Sequence, residues 1–161
     1  MATSREPVRL ALRKLWSDHV IWTREYIIAA VAGYYGDAAG ARLTELLKEH
    51  ILIAVDLVAA AKSGDTVAFA THDARWTANI EAIATFLSGA NPNWPKADVL
   101  DLLALHLKLT KDETVARITG DWASDVKAFD DIFTEIMVLA DALHDGIVAQ
   151  FPERFATMAV A

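Results

Sequence analysis

The chain has 161 residues, 54% of them hydrophobic, which is enough for one folded domain over residues 1–161 with a real core. Basic residues number 15 against 22 acidic ones, and no basic run exceeds Arg13-Lys14; nucleic acid is therefore a poor partner, because phosphate neutralisation needs concentrated positive charge. The absence of cysteine excludes disulfides, thiolate metal sites and cysteine nucleophiles together.

In chain order, a first helix is predicted over about residues 7–32, with Pro7 well placed in its first turn. Leu12, Leu15, Trp16, Trp22 and Tyr26 surround His19 on it. Gly33-Tyr34-Tyr35-Gly36 should break this helix, and Asp37 is a suitable N-cap for the second, which runs to Lys62. There Leu46, Leu47, His50, Ile53, Ala54 and Leu57 share a stripe at helical spacing, so His50 is expected to point inward.

Ser63-Gly64-Asp65 offers a glycine stop and an aspartate start. The third helix, over about residues 66–88, carries Trp76, Asn79, Ile83 and Phe86 on one stripe. Residues 89–95, GANPNWP, form the one strongly loop-like segment, with Trp94 as a hydrophobic plug over the end of the bundle. A short fourth helix follows from Pro95 to about Leu109, with His106 among Val99, Leu102, Leu103 and Leu109.

Thr110 and Glu113 match the capping box, so a last, long helix is expected to start near Lys111 and to pass through Gly120. Its apolar stripe reads Trp122, Val126, Phe129, Phe133, Ile136, Met137, Ala140 and Leu143, and it should end at Phe151-Pro152. No window alternates long enough for a sheet. The expected fold is all-α, an antiparallel bundle of four to five helices.

The N-terminal stretch has no apolar run of signal-peptide length, and no uncharged apolar run approaches the roughly 20 residues that span a bilayer. A soluble, cytoplasmic protein without membrane association is expected.

Three lone histidines on apolar stripes, His19, His50 and His106, are the constellation that can carry chemistry. Neutral imidazole is the commonest metal ligand, and bundles often build metal sites from facing helices. With a carboxylate, Asp130 first and Asp141 next, they would suit a divalent metal (Zn, Mn or Fe), leaving a position for water or substrate. Asn79 would then orient a ligand or hold a water, and Trp22 and Trp76 read as core with a ligand-stacking role second. The competing reading is a buried network of His and Asn that only sets helix register in a structural or interaction bundle. His-x-x-x-His, Glu-x-x-His and His-x-x-x-Glu pairs are absent, as are phosphate loops and a Gly-x-Ser-x-Gly elbow, so no reaction is assigned.

Several segments together resemble a family of bacterial helical-bundle proteins. They are LWSDHVIWTR (15–24), LLKEHI (46–51), Arg75-Trp76 with Asn79, NPNWP (91–95), HLKLT (106–110), Asp121-Trp122, ADAL (140–143) and Gln150-Phe151-Pro152. Members of that family carry glycosyltransferase or acetylglutamate kinase labels, and neither chemistry has its motifs in this chain. The resemblance also implies a further helix, with an Asn-Gln pair, between the first histidine segment and the Tyr-Tyr-Gly turn. Here that helix is missing, which would leave a groove for a partner's helix. With the surplus of large apolar groups on the first helix, this leads to an expected homodimer in which that helix packs partly against the second chain, and to a possible small-molecule ligand in the polar layer.

Overall fold

The computed structural model describes Ala29 and residues 31–155. It divides into two compact units, Met1–Glu45 and Leu46–Ala161. In the first, residues 31–35 are helical up to an interruption at Gly36, three residues beyond the expected stop, with Val31 and Leu43 buried. His19 and Trp22, with nearly all of the first predicted helix, lie outside the described residues.

Four long α-helices follow: α1 (Asp37–Ser63), α2 (Thr66–Ala90), α3 (Lys96–Thr119) and α4 (Trp122–Gln150), then a single 3-10 turn at Pro152–Arg154. Among the described residues there is no strand, and the fold is an all-α helical bundle. Helix α1 crosses from the first unit into the second.

Within the second unit the helices alternate in direction. His50 and Asp56 of α1 meet Asn79 and Arg75 of α2, so one number falls as the other rises. Between α2 and α3 the pairs are Glu81 with Lys96 and Asp73 with Lys111; between α3 and α4 they are His106 with Glu135 and Arg117 with Asp125. The core between these helices is built from Leu46, Ile53, Leu57, Trp76, Ile80, Ile83, Leu87, Val99, Leu103 and Leu107. Within each helix they recur at spacings of three, four or seven residues, which is what places them on one buried stripe.

Two junctions follow the sequence signals. Asp65 caps α2, its carboxylate accepting from the backbone N–H groups of Val67 and Ala68 at 3.2 and 2.9 Å. At the other end α2 passes Gly89 to stop at Asn91, whose fully buried side chain accepts from Asn93 N–H at 2.8 Å and turns the chain into Trp94. Trp94 is itself buried, as expected of a plug.

The boundary between the last two helices is a correction. Thr110 caps nothing: α3 runs through it without a break, and its hydroxyl donates to His106 O one turn back at 2.8 Å. The true stop is Gly120, whose left-handed backbone (φ 77) closes α3, after which Asp121 accepts from Ser124 N–H to open α4. A capping box is a local option, and here a continuous packed stripe through Leu103, Leu107 and Ala116 outweighs it.

The orientation of α4 is a second correction. The stripe expected in the core is exposed: Trp122, Phe129 and Phe133 have 61%, 56% and 60% of their surface in solvent. The buried side carries Asp125, Ala128, Glu135, Leu139 and Gly146 instead. Small residues at 128 and 146 allow close approach, and Asp125 and Glu135 find cationic or imidazole partners on α3.

Candidate functional site

The second unit holds one polar layer, built by two helical hairpins in the same way. On α1, His50 is set into the stripe of Leu46, Ile53 and Leu57, and the hairpin brings Asn79 of α2 against it. On α3, His106 is set into the stripe of Leu103 and Leu107, and the next hairpin brings Glu135 against it. In each pair the acceptor follows its histidine by 29 residues.

The hydrogen bonds settle which ring nitrogen carries a proton. Asn79 Nδ2 donates to Leu46 O at 3.1 Å, which turns Oδ1 toward His50. An amide oxygen only accepts, so the 2.8 Å contact is His50 Nδ1–H donating to Asn79 Oδ1. Burial disfavours a charge on this ring and holds its pKa down at about 4, with His106 pushing the same way and the Asn79 bond opposing. His50 is therefore neutral near pH 7, and its Nε2 presents a lone pair.

His106 Nδ1–H donates to Glu135 Oε2 at 3.0 Å. The Glu135 side chain is only 3% exposed, and its second oxygen, Oε1, is buried without a hydrogen-bond partner. Trp76 is also buried, its ring centroid 5.1 Å from that of His50, and its Nε1–H is unpartnered as well. The two imidazoles lie 6.5 Å apart, centroid to centroid, with an interplanar angle of 29°. The layer thus holds two aligned imidazoles, a buried carboxylate oxygen and an indole N–H with unused hydrogen-bonding capacity. Groups of this kind usually find a partner when buried.

Of the residues expected at a site, His50, His106, Trp76 and Asn79 come together here. His50 and His106 are half-buried. His19 and Trp22 lie outside the described residues. Asp130 is exposed on α4, as is Asp141, and the carboxylate beside His106 is Glu135. Periodicity hid Glu135, because it lies off the stripe that sequence reading turned inward. Its signal was being the one glutamate of α4 and repeating the spacing from His50 to Asn79.

Direct ligation of one ion imposes its own geometry. Imidazoles bonded at about 2.0–2.1 Å to a shared tetrahedral ion have centroids roughly 5 Å apart, so His50 and His106 would have to close by about 1.5 Å. Among the described residues, no three His, Cys, Asp or Glu side chains are grouped to hold a metal ion. No helix among them is long and apolar enough to cross a membrane.

No family model matches the chain, and neither a curated protein nor a solved structure matches it.

Proposed function

We propose that the polar layer binds a divalent transition metal through Nε2 of His50 and His106, with water or a small polar ligand on the remaining positions. One observation carries this reading: each Nδ1–H is held by an acceptor from the next helix, Asn79 or Glu135, which leaves both Nε2 atoms as the basic ones. Metal-binding histidines are typically oriented in this way, by a carboxylate or carbonyl on the far nitrogen. Zn, Mn and Fe are the metals such nitrogen and oxygen donors suit.

The competing reading, a layer that only sets helix register, draws support from each His pair closing within its own hairpin. The unpaired Glu135 Oε1 and Trp76 Nε1 weigh against it, since a network built for register satisfies itself.

Metal analysis of protein purified without a histidine tag, followed by calorimetric titration with Zn, Mn and Fe(II) salts, tests the proposal. Stoichiometric binding that is lost in both His50→Ala and His106→Ala supports it. A metal-free protein that takes up no ion, and in which these variants lose only stability, overturns it in favour of the register layer. A His19→Ala arm tests whether a third imidazole takes part.

A further inference from the structure

Helix α4 presents a second apolar row that the layer does not use. Trp122, Val126, Phe129, Phe133, Ile136 and Ala140 follow one another at spacings of four, three, four, three and four residues. That is a heptad seam, the pattern with which one helix packs along another, and it extends about 27 Å along the axis. All six residues are exposed, with Met137 exposed beside them.

We propose that this seam is covered by the same seam of a second copy of the chain, running antiparallel across a two-fold axis beside Asp131. The spacing favours a copy over a foreign partner, because the row is complementary to itself when reversed. Phe129 then meets Phe133, Val126 meets Ile136, and the largest residue, Trp122, meets the smallest, Ala140. Each layer joins the two different heptad positions, as antiparallel pairs of helices require. A two-fold contact of this kind is isologous and closed.

The area agrees. On the 150–250 Å² scale of large side chains, the exposed fractions of the row and Met137 amount to roughly 600 Å². This reaches the upper end of the largest apolar patch on typical monomers, and it approaches the ~800 Å² that each partner buries in a standard interface. The chain carries −7 net charge, so two copies repel at long range, and the association tightens as salt is added.

Light scattering after size exclusion, on the full chain at micromolar concentration and on dilution, tests the proposal. The expected result is a mass of two chains for the wild type. Phe133→Glu, at a position already exposed within one chain, should return the mass to one chain with unchanged helical circular dichroism and a dissociation constant raised at least about a hundredfold. Because the chain has no cysteine, single introduced thiols report the direction independently of folding losses. Trp122→Cys mixed with Ala140→Cys should cross-link under mild oxidation, and Trp122→Cys alone should not. A wild-type mass of one chain at every concentration overturns the proposal and assigns the seam to the N-terminal stretch of the same chain or to another protein. Self-cross-linking of Trp122→Cys overturns the antiparallel register.

Discussion

The indole of Trp94 lies against Gly146, so close that a Cβ at position 146 would clash with the ring's Nε1, Cδ1 and Cε2. The indole N–H donates to Leu143 O of the same helix at 3.2 Å, so the loop between α2 and α3 is pinned to the last turns of α4 by packing and a hydrogen bond together. Gly146→Ala should therefore cost about 3 kcal/mol, because the obstructing group is a buried ring rather than a flexible chain end. Trp94→Phe should be milder, losing the bond to Leu143 but keeping most of the packing. Urea unfolding of the two variants checks the order, and equal costs would contradict it.

The depressed pKa of His50 makes stability depend on pH with a definite sign. The ring titrates near 6.5 when unfolded and near 4 when folded, so between these values the unfolded chain binds the extra proton. This contribution is complete above about pH 6.5, falls as pH drops, and levels off below about pH 4. The whole loss is about 3 kcal/mol. Unfolding free energies measured from pH 7 to 4 should follow this course, and His50→Leu should flatten it. A wild type whose stability is constant over that range would contradict the burial of the ring.

Asn79 holds both Leu46 O and His50 Nδ1–H; Leu46 O keeps its helical bond in Asn79→Ala, but the buried imidazole donor is left unpaired, so the substitution should cost about 1–3 kcal/mol. It also removes the one influence that raises the His50 pKa, so that ring should titrate lower still in an NMR pH series. If the layer binds metal as proposed, Asn79→Ala and Glu135→Ala should each weaken it by about 10–100-fold, a loss visible in the same calorimetric titration.

The boundary at Gly120 makes a contrasting pair. Gly120→Ala puts a side chain on a left-handed backbone and should cost about 1–2 kcal/mol. Thr110→Ala, at a site that resembles a cap but lies inside α3, should change stability by less than about 0.5 kcal/mol. Thermal unfolding distinguishes the two, and a larger cost at Thr110 would restore the capping box as a helix start.

What local chemistry controls was legible in the sequence. Asp65 after Gly64 marked a helix start, Asn91 to Pro95 a turn, and the spacing around His50, Asn79 and His106 an inward face, because capping and helical periodicity depend on residues a few positions apart. Tertiary structure decided the rest. Helix α4 carries two usable faces, one with large apolar residues from Trp122 to Met137 and one with Ala128, Leu139 and Gly146 around Glu135. Periodicity shows which residues share a face, but it does not show which face turns inward. Close approach at Ala128 and Gly146, and partners on α3 for Asp125 and Glu135, turned the quieter face inward. The same competition took Asp130 away from the imidazoles and put Glu135 beside His106, since five residues along a helix rotate a side chain to a different side of it.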